Sequence, residues 1–384
     1  MILSLQTNTF GWYGGIPTYN RLICRALNEM KTSAKSRVLI AMDEREKAAS
    51  QDSLYSNLFI EAFNGDRIQF VKRVLRIAAK RQTDVILASH INYAPLCSLV
   101  KFMRPQARVG IVIYGWEVWR SLPLLQKRAL RHANFIISIS EYTKQRAIEV
   151  QGIEGQRVFV LPNALEWKET HPTRIPGNCS FPPGVKLLSV GRLDAAEQQK
   201  GFDTVIRALP KIANQVPDIQ YIVIGDGTDL ERHKQLAKKL GVSERVHFLG
   251  FVDDDLLRQA YAACDLFVMP SAQEGFGFVY LEAMQYGKAV VAANSGGAPE
   301  VVTDGETGWL VEYGNTEQLS QALIRLCLDS ELRAKLGDAG YHRLQKSFTF
   351  PKFCQTFSDI LKRELSAIEI YKSRRKMIGN TQAV

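Results

Sequence analysis

The stretch CDLFVMPSAQEGFGFVYLEAMQYGKAVVAANSG (residues 264–296) decides the fold. Its apolar run ends at Pro270, the loop SAQEGFGF follows with glycines that free the backbone, a helix is expected from near Phe278, and KAVVAA reads as the next strand. Strand, helix and strand in this order belong to a parallel α/β sheet. Two carboxylates stand on the connection, Glu274 in the loop and Glu282 on the helix. Were both helical, eight steps of about 100° would leave them roughly 80° apart, a poor arrangement for joint acid–base work. Placed in a loop and then a helix, they bracket an elongated ligand. One acid can accept bonds from sugar hydroxyls and the other from ribose hydroxyls, with a phosphate on the amides at the helix start.

The same alternation runs outward in both directions. TDVILASH, ARVGIVIYG, ANFIISISE and QRVFVLPN read as strands in the first half, and VKLLSVGRL, IQYIVIGDG and RVHFLGFV join the opening stretch in the second. With 384 residues, the chain is long enough for two cores. The expected architecture is therefore α/β, two doubly wound Rossmann-like domains spanning 1–165 and 185–348, joined by the polar, proline-rich linker 166–184 and followed by a long helix over about 349–384. Ligands of open α/β sheets bind beyond the carboxyl ends of the strands, so a cleft between two such domains is the expected site.

Composition narrows the classes. The chain is 46% hydrophobic and 23% charged, which fits a globular protein and excludes disordered and fibrous ones. No apolar run spans a bilayer and no signal-peptide pattern opens the sequence, so a cytoplasmic location is expected. The six cysteines are scattered without metal-ligand spacing and read as buried thiols, and no metal site is expected. Net charge is +10 but uneven: residues 1–165 carry 23 Lys/Arg against 12 Asp/Glu, and residues 346–384 carry 8 against 3. Nucleic acid or an anionic membrane could explain the surplus, as could a solvated surface. FVKRVLRIAAKRQ (70–82) repeats Lys72, Arg76 and Lys80 every four residues, with Val71, Val74, Leu75, Ile77 and Ala78 available for the other side. That pattern suits a membrane-surface helix or an ordinary solvated one. No nucleic-acid motif accompanies it, so no nucleic-acid partner is expected.

In the second half, GRLDAAEQQKGFD places Gly191 and Arg192 directly after a strand and Lys200 just before a helix. A guanidinium fork, an ammonium and unpaired helix amides together suit a diphosphate, although ordinary loop charges would give the same pattern. Gly225-Asp226-Gly227 ends the next strand and would let a ligand approach the backbone, and Gly296, Gly297 and Glu300 add to the same rim.

GRLD…KGFD, VIGDG, FLGFV, the Glu274-to-Glu282 element and GGAPEVV…GETGWLV resemble the donor half of family-4 retaining glycosyltransferases of the GT-B fold. FGWYGGIPTYNRLICRAL, SHINYAPL, VIYGWEVW and ISISEYTKQRA resemble that family's first half, so the likeness covers nearly the whole chain. The resemblance implies a metal-independent transferase with a nucleotide sugar as co-substrate and no other cofactor. Arg192 and Lys200 would hold and stabilise the leaving pyrophosphate, and Glu274 would bind the donor sugar without becoming a covalent nucleophile. Glu282 would bind the ribose, Phe251 and Val252 would flank the base, and the amides of Gly275, Phe276, Gly277, Phe278 and Val279 would hold sugar and phosphates. Gly14 and Gly15 would let the first loop approach the diphosphate. The last helix would cross back to the first domain, whose basic face would dock at the inner face of an anionic membrane while a glycan or lipid-linked sugar is received. Many relatives carry a sugar-contacting histidine where this chain has Tyr114. His90, Trp116, Glu117 and Ser140 are candidates for the acceptor side, though His90 would equally serve as a backbone-bonded loop residue and Ser140 as a helix cap. A sugar phosphorylase, a nucleotide-sugar epimerase and a non-catalytic binding module are the alternatives on the same fold. A phosphorylase needs a phosphate pocket where the nucleotide leaves, and a binding module would hold donor without hydrolysing it.

Overall fold

The computed structural model describes residues 1–30, 36–80, 83–165 and 181–381, with side chains up to residue 369. Two compact units emerge, one formed by Met1–Asn163 with Phe350–Val384 and the other by Ala164–Thr349. Most of the expected linker, residues 166–180, lies outside the described residues.

The first unit is built on β1 (Ile2–Gln6), β2 (Ser36–Ile40), β3 (Leu58–Ala62), β4 (Val85–Ala88), β5 (Arg108–Ile113), β6 (Phe135–Ser138) and β7 (Val158–Val160). They pair in parallel in the order β3-β2-β1-β4-β5-β6-β7. The second unit repeats the plan with β8 (Lys186–Val190), β9 (Gln220–Ile224), β10 (Val246–Gly250), β11 (Leu266–Met269), β12 (Ala289–Ala293) and β13 (Gly308–Val311), ordered β10-β9-β8-β11-β12-β13. Helices cover both faces, which is why β4, β6, β11 and β12 are buried along their whole length. Chain direction across the sheet reverses between β1 and β4 and again between β8 and β11, the positions where α/β sheets open a crevice for ligands.

The C-terminal helix Phe350–Thr381 belongs to the first unit. Its Phe353 meets the edge of Tyr19 at 5.4 Å, Phe357 and Leu361 are buried, and Glu364 accepts from Arg108 at 2.6 Å. Two surface expectations change. In the basic helix Arg67–Ala79 the buried stripe is Phe70, Val74, Ile77 and Ala78, so Val71 faces outward and Arg73 pairs with Glu61 at 2.8 Å. Cys24, Cys97, Cys264 and Cys327 are buried thiols, Cys354 is half-exposed, and Cys179 lies outside the described residues. No helix of the described residues is long and apolar enough to cross a membrane.

Gly225 was expected to clear space for a ligand, but its glycine identity answers to the fold. At φ +135°, a Cβ there would lie 1.9 Å from the carbonyl oxygen of Gly191, whose own amide is bonded to Ile224. Gly227 stands in the same relation to Leu193, at 2.3 Å. The loops after β8 and β9 therefore touch backbone to backbone. Gly225→Ala is expected to lower unfolding free energy by about 2–4 kcal/mol in urea titrations, combining the clash with the positive φ.

Candidate active site

The site grows from loops at the carboxyl edge of the second sheet. After β8 the chain passes Gly191 and Arg192 and makes a single-turn helix, Ala195–Lys200. It then enters helix Phe202–Ala213 through Gly201 at φ +88°. Gly201 abuts the end of β11, where a Cβ would sit 2.4 Å from the Pro270 carbonyl oxygen, and the Ala272 amide donates to the Gln199 carbonyl at 2.8 Å. This contact delivers Lys200 to Glu274. Their Nζ–Oε2 distance is 3.1 Å, with the side chains 22% and 14% exposed.

Glu274 is held from below. The Gly297 amide donates to its carbonyl at 2.7 Å, Ser295 Oγ donates to Ala272 O at 2.6 Å, and a Cβ on Gly296 would lie 2.3 Å from Glu274 O. Gly277, at φ +102°, then starts helix Phe278–Gln285, as the sequence predicts, and carries Glu282 into the second turn. Tyr261 donates its hydroxyl to Glu282 Oε2 at 2.6 Å. Burial raises the Glu282 carboxyl above its ordinary 4.5, and the Tyr261 bond works against that rise. Arg192 reaches outward, 75% exposed, and pairs with Glu197. Phe251 is exposed after β10 and Val252 half-buried. The Phe276 ring is buried edge-on to Phe348 at 5.4 Å, which leaves its backbone, the part expected to serve, to meet a ligand.

The first unit presents its own carboxyl edge. Asp43, just past β2, is fully buried and accepts from the amides of Thr9 at 3.1 Å and Phe10 at 2.6 Å, fixing the loop after β1 that ends in Gly14. Gly14 has φ +124° with open space beside it, and Gly15 begins the following helix. Beyond β4, His90 Nδ1 accepts from the Asn92 amide at 3.2 Å, the backbone bond that one of its two readings expects. Burial lowers its pKa, and Glu117 acts in the opposite sense. Glu117 accepts from the Tyr114 amide at 2.5 Å, and Trp116 is exposed with the Arg120 guanidinium 3.9 Å over its ring.

Tyr114 is buried, edge-on to Tyr19 with its hydroxyl 3.5 Å from Asn20 Oδ1, because the aromatic pair fills the core under the loop. Ser140 is fully buried and caps helix Glu141–Gln151 by accepting from Thr143 N at 3.1 Å, which is the helix-cap reading of its two.

Comparison with known proteins settles the family. The model for glycosyl transferases group 1 matches residues 181–343, and that for glycosyltransferase family 4 matches residues 13–166. A GDP-mannose-dependent α-(1-6)-phosphatidylinositol monomannoside mannosyltransferase of Mycolicibacterium smegmatis is 32% identical over 65% of this chain and 69% of its own. The monoacylated-substrate counterpart of Corynebacterium glutamicum is 35% identical over 71% and 74%. The chain belongs to glycosyltransferase family 4. Solved structures agree on the fold: Anabaena HepE in complex with UDP superposes with a TM-score of 0.76 at 22% identity, covering 94% of this chain and 99% of HepE. Sucrose-phosphate synthase from Thermosynechococcus elongatus gives 0.77 at 18% identity, covering 95% and 99%. This family-4 glycosyltransferase has the GT-B architecture of two Rossmann-like domains and is a retaining enzyme acting on nucleotide sugars.

Three positioning residues of the transferase escaped sequence reasoning. Glu197 holds Arg192, Tyr261 holds Glu282, and Asp43 holds the first loop. Only Asp43 left a signal, an acid just past the strand SRVLI. In the transferase, folded Glu282 keeps its proton to higher pH than in the unfolded chain, so folding binds protons and stability declines as pH rises above 4.5. Glu282→Gln should remove that decline. Urea unfolding from pH 4.5 toward about pH 8 should show the variant gaining on the wild type, whereas a constant difference would refute a buried, proton-retaining carboxyl.

Proposed function

We propose that this family-4 transferase moves mannose from GDP-mannose to a lipid-linked sugar acceptor, with retention and without a metal, in glycolipid or surface-polysaccharide synthesis. The observation that carries the donor-site reading is the Lys200–Glu274 pair, closed at 3.1 Å beside the outward Arg192. A nucleotide sugar entering here exchanges the pair: Glu274 accepts a sugar hydroxyl, and Lys200 turns to the diphosphate with Arg192. As the bond from the anomeric carbon to the diphosphate oxygen breaks, negative charge grows on that oxygen, and the two fixed cations lower the barrier. The acceptor hydroxyl attacks from the same face and passes its proton to the leaving diphosphate. Glu282 receives the ribose hydroxyls and the amides from Gly275 to Val279 the phosphates and sugar, with Phe251 and Val252 beside the base. The first unit supplies the acceptor side, where Trp116 offers an exposed ring. GDP-mannose is favoured over UDP-hexoses because the two relatives described above are named as GDP-mannose-dependent.

A thermal-shift panel of GDP, UDP, ADP and their sugars, with and without EDTA, tests this reading. A GDP-selective rise that ignores EDTA and disappears in Glu282→Ala is expected; a rise only with UDP would reassign the donor, and a rise only with phosphate or glycans would point to a phosphorylase or a binding module. Lys200→Ala or Arg192→Ala should lower kcat by on the order of 100- to 1,000-fold while the fold survives. Near-normal turnover would remove these residues from catalysis.

The acceptor reading includes a membrane surface. Helices Arg67–Ala79, Ala94–Met103 and Leu124–Arg131 pack side by side and expose Ile68, Val71, Leu99, Phe102, Leu124 and Leu125, with Phe102 83% exposed. Lys72, Arg76, Lys80 and Arg128 are exposed on the same helices, and apolar insertion beside basic charge suits an anionic leaflet. Phe102→Glu combined with Leu124→Glu should reduce sedimentation with phosphatidylglycerol vesicles and leave nucleotide-induced stabilisation intact. Undiminished sedimentation would reject this face as the dock.

A further inference from the structure

At the edge of the first sheet where β5, β6 and β7 begin, opposite the ends that carry His90, Trp116 and Ser140, the C-terminal helix lines a pocket of about 410 Å³ that is open on one side, with Arg363 and Gln156 exposed. Arg108 heads β5, Arg157 precedes β7, and Arg363 comes from the helix; Gln156 completes the polar wall.

The charges do not cancel. Glu364, 4% exposed, is the acid of the lining, and both Arg108 Nε and Nη2 donate to its Oε2, at 2.7 and 2.6 Å. Arg157 gives one nitrogen to the carbonyls of Arg131 and Ala133, each at 3.0 Å, and the other to exposed Glu154 at 2.7 Å. Two cations remain. Among the described residues Lys101 Nζ donates to the neutral oxygens of Ala107 and Asn134, at 2.7 and 3.2 Å, and Asn134 is itself part of the wall. Burial first and then the charge of Arg108 pull the Lys101 pKa down, against the opposing pull of Glu364. Arg363 lies with its guanidinium carbon 5.0 Å over the Phe159 ring, and no acid pairs with it among the described residues. A ring under a guanidinium orients its plane and leaves the N–H edge to bind planar or tetrahedral oxyanions in a fork.

We infer that this cavity binds a phosphate-bearing dianion of diphosphate size through Arg363 and Arg157, with Gln156 as a neutral donor. Arg157 would trade its exposed partner Glu154 for the ligand, the lining's three arginines against Glu364 leave a formal surplus of two, and the volume falls within the range of small-ligand sites. Because the arginines come from the helix and from the sheet, the ligand ties the C-terminal helix to the strands it covers. The phosphate can belong to a soluble anion or to a lipid headgroup.

Equilibrium dialysis with radiolabelled pyrophosphate on the full chain tests the site, using Lys200→Ala as background so that the reading of the donor pocket does not enter the result. Ala367→Glu, which sets a carboxylate into the cavity wall at a helical position, should remove one bound equivalent. Arg363→Gln should weaken that equivalent about tenfold, the loss expected for one charge-assisted contact. Both should keep the parent melting temperature; should Ala367→Glu unfold, Arg363→Gln decides. Pyrophosphate binding unchanged in a folded Ala367→Glu or in Arg363→Gln overturns the site. Phosphatidylcholine vesicles with and without phosphatidic acid separate the sources. A phosphatidic-acid-dependent increment lost in Arg363→Gln assigns a headgroup, and pyrophosphate loss without a vesicle effect assigns a soluble anion.

Discussion

The second unit depends on backbone touching backbone. Gly296 and Gly297 press against the Glu274 and Gly275 carbonyls, Gly201 against that of Pro270, and Gly225 against that of Gly191. Wherever two strand-end loops must approach this closely, a side chain would force them apart. Sheet packing thus sets the height of every loop at this edge, and the charged residues inherit their positions from it. The rigidity matters for the chemistry, since a cation lowers a barrier only if it is already aimed at the atom that gains charge.

Within that frame each ionisable group has a protein partner: Lys200 with Glu274, Arg192 with Glu197, Glu282 with Tyr261. Under the proposed donor reading, binding is therefore an exchange of partners and not the capture of free charges. Arg192, the more exposed of the two cations, is the cheaper to redirect, because solvent screens its pair. Lys200 and Glu274 are better shielded, so their separation is the step a ligand must compensate with contacts on both. A ligand that satisfies one side alone leaves the other charge without a partner, which is a source of selectivity for an anion joined to a sugar.

Much of this was legible in the chain. β4, β11 and β12 stand as uninterrupted apolar runs because both of their faces are covered, and the switch from loop to helix at Phe278 follows from the glycines before it. β3 was not legible: LFIEA is an edge strand broken by Glu61, which faces Arg73. The places of the Tyr114 and Ser140 hydroxyls could not be read from the chain, for one reason. A strand-end position says that a residue is near the edge and not which way its side chain turns, and here an aromatic neighbour and a helix amide claimed them. The partners were harder still, since Tyr261 and Glu282 are 21 residues apart and Asp43 and Thr9 are 34 apart, with no periodicity to join them.

The return of the C-terminal helix to the first unit has a bearing on how the chain is made. Tyr19 packs on Phe353 and Arg108 bonds Glu364, so the half translated first lacks part of its own core until the last residues leave the ribosome. The second unit, Ala164–Thr349, is continuous in sequence and has all its strands earlier. The usual order of folding during synthesis is thereby inverted. The amino-terminal half must wait with an apolar groove open to water, and a chain that stopped before Phe350 would carry a finished second unit beside a first unit that cannot close its core.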